Sequence, residues 1–405
     1  MAVTTLASGI QVLSESIPGV RSAAVGVWVP RGAAHDREEV LGASHLLEHM
    51  VFRGTQHRSR EQIALALESL GGSLDAFTSR EHTSFQARVL DEHLPQALDV
   101  LADLVLFPRL LDEDLELERH VVLEEISTIE DAPEDFAFEL HGRHLWDGHP
   151  YGASILGTRE TVSAIEGDTL RDLHRGRYGA AGMVVAATGN VAHDEVVELA
   201  AHYFGSAAHG APAAPVAEPR SMEGREVHVR RETAQTHIVA GTVTPPRADA
   251  RRYPLVLLAA AMGGGMSSRL FRRIREELGL AYSVYTFQSF YSRAGISGIY
   301  AGTRHDAACE VTGAIREELA TVARDGLSRD DLDQIKSQVK GQIMLSLESP
   351  GARLYRLAGF ALHQEPFTTL DELLSRIDRV TEAEVAETAA EFFHPDRQCL
   401  LRLGP

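Results

Sequence analysis

The sequence predicts an α+β fold made of two homologous α/β repeats, each a mostly antiparallel sheet with helices on one face. Three observations predict it. Strand-like runs come in consecutive pairs and helical runs in groups, an order that sorts sheet and helix into layers. The stretch GSAAHGAPAAPVAEPRSMEG, residues 205–224, is rich in Ala and Pro, lacks periodicity and divides the chain into near-equal parts. The two parts then echo each other at a nearly constant offset. VGVWVPRG from Val25 and IVAGTVTPPR from Ile238 each run through Pro-Arg into a helix, and Pro30 and Pro246 are 246 − 30 = 216 positions apart. LLDEDLELERHVVLEEI from Leu110 resembles LSRDDLDQIKSQVKGQI from Leu327 at an offset of 217. The expected domains are an N-terminal repeat over 1–208, a linker over 209–224 and a C-terminal repeat over 225–405.

The elements of the first repeat follow in order. VRSAAVGVWVP, residues 20–30, reads as a strand. Residues 42–53 form an apolar helix interrupted by polar positions. SREQIALALESLGG, residues 59–72, is a second helix, with Ser59 and Gln62 in capping-box spacing and Gly71-Gly72 at its end. SLDAFTS and HTSFQARVL are two strands joined by a short turn. Long helices start near Glu92 and near Asp112, with apolar residues at helical spacing. The second half repeats strand, helix, helix, strand pair and long helices.

The bulk numbers bound the function. A chain of 405 residues exceeds one small core. No apolar run of about 18 residues is present, so no transmembrane helix is expected. The N-terminus has neither a basic region nor a long apolar core, which leads to the expectation of a cytoplasmic protein. A formal charge of −19 argues against a broad nucleic-acid footprint, which needs basic stripes. Cys309 and Cys399 belong to no close Cys/His cluster and read as free thiols.

One helix carries chemistry. GASHLLEHMVFRG, residues 42–54, places His45 and His49 one turn apart on one face, so both imidazoles can reach one ion. Glu48 shares that side and can take a proton from an activated water. A catalytic zinc needs a third protein ligand and an open position. LERHVVLEEISTIED offers Glu118, Glu124 and Glu125. Glu118 and Glu125 are two turns apart on one face, so one could ligate and the other orient a histidine. Glu124 reads as part of a solvated face.

These motifs resemble the pitrilysin/insulinase family of zinc peptidases, in the branch of mitochondrial processing peptidase β-subunits and bacterial relatives of similar length. The resemblance runs along the whole chain. It implies a third ligand 76 residues after the second histidine, and 125 − 49 = 76 selects Glu125. It makes Glu118 the acidic neighbour seven residues earlier, Glu48 the base, and zinc the cofactor at one ion per chain. SLDAFTS matches the edge strand to which an extended substrate adds around Ala76 and Phe77. Asp75 stands where many relatives carry Asn, which removes an amide donor. Phe52 matches a residue lining the pocket after the scissile bond, implying an apolar P1′ preference. Asp135 and Glu139, ten and fourteen residues after the glutamate ligand, match acids that bind a substrate arginine.

The second half has lost the metal site: His45, Glu48 and His49 map to Ala261, Gly264 and Gly265, and Glu125 maps to Gln342. It carries instead SSRLFRRIREELGLAYSVYTF, which matches the family signature in which Arg275 and Tyr282 reach the substrate. Tyr282 is implied to donate to the developing oxyanion. The resemblance further implies that the chain is half of a clam-shell chamber. A homodimer is expected, or a heterodimer with a metal-less homologue, with peptide substrates and no nucleic-acid or membrane partner. The expected activity is that of a zinc-dependent endopeptidase. The alternatives are a non-catalytic assembly subunit and a maturation protease for one small peptide.

Overall fold

The computed structural model describes residues 1–220 and 224–405; residues 221–223, inside the expected linker, lie outside the described residues. The first half contains β1 (Ala2–Thr5), β2 (Gln11–Ser16), β3 (Ser22–Val29), α1 (Ala43–Val51), α2 (Arg60–Glu68), β4 (Ser73–Thr78) and β5 (Thr83–Leu90). It continues with α3 (Leu94–Leu106), α4 (Asp112–Asp131), α5 (Pro133–Trp146), α6 (Arg159–Ala164), α7 (Gly167–Arg177), β6 (Val184–Gly189) and α8 (His193–Phe204). The second half contains β7 (Arg225–Arg230), β8 (Thr236–Thr244), α9 (Arg252–Gly263), β9 (Ala281–Phe290) and β10 (Gly295–Thr303). It ends with α10 (Ala308–Asp325), α11 (Arg329–Ser346), α12 (Pro350–Leu362), α13 (Leu370–Arg379), α14 (Glu382–Phe392) and β11 (Cys399–Gly404).

The chain forms two compact units. One contains residues 1–127, 153–215 and 346–366, the other residues 128–152, 216–345 and 367–405. In the first unit six strands are ordered β1-β2-β6-β3-β5-β4. All pairs are antiparallel except β2 with β6, which run parallel. Alternate residues of β3, Ala23, Val25, Val27 and Val29, are buried in one core with Leu46 and Met50 of α1 and Leu98 and Leu101 of α3. Such alternation is what a strand buried against helices requires. Trp28 belongs to the other face, where its ring meets Tyr355 of α12 edge-on at 6.2 Å. The Thr188 hydroxyl on β6 donates to the carbonyl of Pro350 at the start of α12 at 2.7 Å.

The second unit has five strands ordered β7-β11-β8-β10-β9, with only β7 and β11 parallel. Its main core joins Ile238, Ala240 and Ile299 to apolar residues of α9, α10 and α14. The opposite face of this sheet is covered by α5, whose Ala137 and Phe138 pack with Val239, Tyr300 and Leu401. Beyond the layer of helices on one face, each sheet therefore carries one helix on its other face. Those two helices are equivalent in sequence, since α5 begins at Pro133, α12 at Pro350, and 350 − 133 = 217. Each repeat lends this helix to the sheet of the other repeat. Both start with Pro in the first turn, a position where its missing N–H costs nothing.

Ser59 accepts from the Gln62 amide at 3.3 Å and donates its own amide to the Gln62 side chain at 2.8 Å, closing the capping box. The second helix expected in the second half is different. Residues Phe271–Glu277 form a wide π-helical turn, in which the Leu278 amide donates to the carbonyl of Arg273 at 3.2 Å. The described residues 205–220 of the Ala/Pro-rich segment lie in no helix or strand, yet the segment is tied to the first unit. The Ala180 and Ala181 amides donate to the carbonyls of Ala208 and His209 at 2.7 and 2.9 Å, and the Arg31 guanidinium donates to the Pro212 carbonyl at 2.8 Å. Among the described residues, no helix is long and apolar enough to cross a membrane.

Candidate metal centre

α1 is set by its two faces. Leu46, Leu47, Met50 and Val51 are buried, while His45, Glu48 and His49 line the other side and stay half-buried. Gly42 caps the N-terminus with φ +91°, and a Cβ there would stand 2.4 Å from the Leu156 carbonyl oxygen. Buried Asp36 accepts from the Ser44 amide at 3.0 Å and the Ser44 hydroxyl at 2.7 Å, and Arg177 donates to the same carboxylate at 2.6 Å. A carboxylate at a helix N-terminus satisfies a free amide and opposes the helix dipole. The loop after α1 is held to α3 by buried Asp103, which accepts from the Thr55 hydroxyl at 2.6 Å and from Arg58 at 2.7 Å.

Helix α4 runs beside α1 and buries Leu115, Glu118, Val122 and Ile126. It brings Glu125 to the two histidines: His45 Nε2 lies 3.7 Å and His49 Nε2 3.6 Å from its carboxylate oxygens. One donor atom from each of these three residues lies within 4.8 Å of the others, and among the described residues they form the one such group. A tetrahedral zinc with bonds of about 2.0–2.1 Å holds its donors roughly 3.3–3.4 Å apart. The donor set fits zinc in chemistry and in spacing.

The electrostatics follow from burial and partners. Burial, helped by neighbouring His49, pushes His45 down to about 3, so it is a neutral imidazole able to ligate. Burial also acts to lower His49, but Glu118, Glu125 and Glu48 outweigh it and hold the ring above the ordinary histidine value. That negative field is one a cation would share. His49 Nδ1 lies 2.9 Å from Glu118, which fixes Nε2 as the atom facing Glu125. Glu118 also accepts from Arg53. Burial raises Glu118, and His49 and Arg53 more than offset it, so it is held below the usual carboxylate range. Glu48 is raised, chiefly by burial, against the hydrogen bond it accepts from Thr78 at 2.6 Å.

The other expected residues fall as follows. Ala76 and Phe77 lie on β4, at the sheet edge, where β4 pairs with β5 alone. Ala76 packs inward and Phe77 is 53% exposed, beside exposed Asp75. Phe52 closes the end of α1 with its ring 6.3 Å from Phe85. Glu124 is exposed. Asp135 and Glu139 lie on α5 in the second unit, where their neighbour Glu134 accepts from the Tyr285 hydroxyl at 2.6 Å. Arg275 and Tyr282 are partners in that unit too: the guanidinium donates to the Tyr282 carbonyl at 2.9 Å and lies 4.5 Å above its ring, which is 75% exposed. Sequence reasoning missed Arg53, Thr78 and the Asp36–Ser44–Arg177 cluster. Thr78 and Arg53 sit inside motifs already quoted, but no spacing tells which neighbour they touch.

Two histidines one turn apart, a carboxylate between them and an acid from a neighbouring helix define a site of the zinc-hydrolase type. Comparison with known proteins gives the family. Residues 11–159 match the model described as insulinase (peptidase family M16), and residues 164–339 match the peptidase M16 inactive domain. An uncharacterized zinc protease of Streptomyces coelicolor is 38% identical over 99% of this chain and 89% of its own length. The uncharacterized zinc protease YmxG of Bacillus subtilis is 37% identical over 97% of this chain and 95% of its own length. The fold matches a structure described as the peptidase M16 inactive domain of Pseudomonas fluorescens, with a TM-score of 0.94, 20% identity and coverage of 100% and 98%. It also matches a protease of Helicobacter pylori with a TM-score of 0.91, 19% identity and coverage of 100% and 99%. The chain belongs to the insulinase family of zinc proteases, peptidase family M16.

Proposed function

We propose that the chain is an active zinc endopeptidase that cleaves peptides or unfolded segments. The observation that carries the reading is the convergence of His45, His49 and Glu125 around one point with Glu48 alongside. These three residues would hold one zinc per chain, and the ion when bound supplies a Lewis acid and an activated water. Glu48 accepts the proton of the attacking water and returns it to the leaving amine. Its raised affinity for protons suits both halves of that task. His49, locked by Glu118, presents Nε2 without rotating.

The remaining roles extend the same proposal. An extended substrate adds to the free edge of β4 at Ala76 and Phe77, a mode that tolerates many sequences. Phe52 forms an apolar wall for the P1′ side chain. Asp135 and Glu139 read a basic residue near the cut through charge-assisted hydrogen bonds. Arg275 contacts a substrate carbonyl, and Tyr282 donates to the developing oxyanion. The chain acts as half of a closed chamber completed by a second copy of the chain, or by a metal-less homologue, in the cytoplasm, with the Arg275 and Tyr282 half of one chain facing the metal half of the other.

Chelation tests the reading. Treatment with a zinc chelator should abolish hydrolysis of a fluorogenic arginine-containing peptide, and stoichiometric zinc should restore it. Hydrolysis that survives complete metal removal overturns the proposal.

A further inference from the structure

We propose that Thr78 is a positioning residue that ties Glu48 to the substrate-binding edge strand. This rests on the role of Glu48 proposed above. Thr78 is the last residue of β4, and its hydroxyl donates to Glu48 Oε2 at 2.6 Å. It is 4% exposed, on the inward-facing set of β4 with Leu74 and Ala76, whereas Phe77 on the opposite face is 53% exposed. The Thr78 backbone also hydrogen-bonds the Glu48 carboxylate, so the end of β4 holds Glu48 through both its hydroxyl and its main chain. Thr is β-branched and stiff at χ1, which suits a fixed donor.

Both ends of this link are held. Thr78 pairs with Thr83 across the hairpin, and the Thr83 hydroxyl donates to the Arg31 carbonyl at 3.0 Å. The turn between them closes on Ser79, whose amide donates to the His82 carbonyl at 2.8 Å and whose hydroxyl oxygen accepts from the His82 amide at 3.0 Å. The Ala33 and Ala34 amides donate to the carbonyls of Ser79 and Arg80 at 2.9 and 2.8 Å, clamping the turn from outside. α1, which carries Glu48, is fixed at its start through Ser44 and Asp36. Thr78 is thus a rigid strut between the edge that receives substrate and the base that acts on it. Strand addition to β4 and alignment of Glu48 are one structural event. A general base must lie within hydrogen-bond reach of its proton, and a misplacement of about 1 Å can cost on the order of 100-fold.

The test compares Thr78→Val, which keeps the shape and removes the hydroxyl, with Thr78→Ser, which keeps the hydroxyl. For each, kcat and KM on a fluorogenic peptide are measured separately, with zinc content and thermal unfolding. Thr78→Val should bind zinc as wild type does, keep KM within about twofold and lose roughly 10- to 100-fold in kcat. Thr78→Ser should return to within about threefold of wild type. If the Val variant does not fold, Thr78→Ala against Thr78→Ser differs only in the hydroxyl, and the same kcat ratio is expected. Equal kcat for Val and wild type, or Ser no better than Ala, overturns the proposal. Glu48→Gln in the same assay separates the two ideas. If it is inactive while Thr78→Val is fully active, only the Thr78 inference fails; if it is fully active, the base assignment itself fails.

Discussion

Replacing Glu118 by Gln keeps the volume of the side chain and removes its charge. The carboxylate serves two donors at once, His49 Nδ1 at 2.9 Å and the guanidinium of Arg53. A Gln amide offers one acceptor, and its NH2 group must then face the other donor. Either the histidine loses the partner that fixes its tautomer, or Arg53 is left without its anion. Water cannot repair the loss, because the Glu118 and Arg53 side chains are only 9% and 11% exposed. Substitution of such orienting partners weakens metal affinity by about 10- to 100-fold, or about 1.4 to 2.8 kcal/mol. The assay is a competitive zinc titration against a chromophoric chelator. A dissociation constant within twofold of wild type would refute the view that Glu118 tunes His49. Glu118→Ala should go further and destabilise the fold itself by roughly 3–5 kcal/mol, since it leaves the Arg53 charge buried and unpaired.

His141 is fully enclosed against the second sheet and hydrogen-bonds the Cys399 carbonyl at 3.0 Å, and burial pushes it down to about 4. The unfolded chain takes up that proton near pH 6.5 and the folded chain only near 4, so stability is full above about 6.5 and falls as pH drops towards 4, by about 3 kcal/mol at most. Denaturant unfolding from pH 7 to 4.5 should show a pH slope shallower by about one proton in His141→Gln, and an unchanged slope would count against this assignment. Gly32→Ala introduces a Cβ that meets the Ser79 carbonyl oxygen at 2.2 Å and the His82 amide nitrogen at 2.7 Å. Those are backbone atoms of the turn behind Thr78, so the hairpin must shift. A loss of about 1–3 kcal/mol in stability with a lowered kcat is expected, and full activity at unchanged stability would show that the turn yields freely.

How much of this was legible in the sequence depends on the range of the interaction. His45, Glu48 and His49 were readable because helical periodicity alone puts them on one side of α1. The Ser59–Gln62 capping box and the hairpin of β4 and β5 were readable for the same reason, being local patterns with strong chemistry. The offset between the repeats was visible in composition, and the structure shows what it encodes, namely two sheets of related topology. Glu125 required the family spacing, since periodicity left Glu118 and Glu125 equivalent; in the structure Glu125 faces both imidazoles, while Glu118 faces the back of one.

What stayed hidden was tertiary. Nothing local in the sequence of α5 or α12 names the sheet it covers, so no local signal says that the repeats exchange them. The parallel pairing of β2 with β6 joins segments about 170 residues apart, and neither strand announces the other. Thr78 reads as a strand residue with high β-propensity; only the approach of α1 gives its hydroxyl a partner. Asp36 and Arg177 are ordinary surface types in sequence, and their burial at the start of α1 comes from the packing of α7 against that helix.

The proposed chemistry turns on one carboxylate, that of Glu48. Wild type and Glu48→Gln should be purified side by side, with zinc content and peptide hydrolysis measured on the same samples. The expected result is one zinc per chain in both proteins, hydrolysis by wild type, and a loss of about 100- to 10,000-fold in the variant. Equal hydrolysis by the two proteins at equal zinc content would contradict the account.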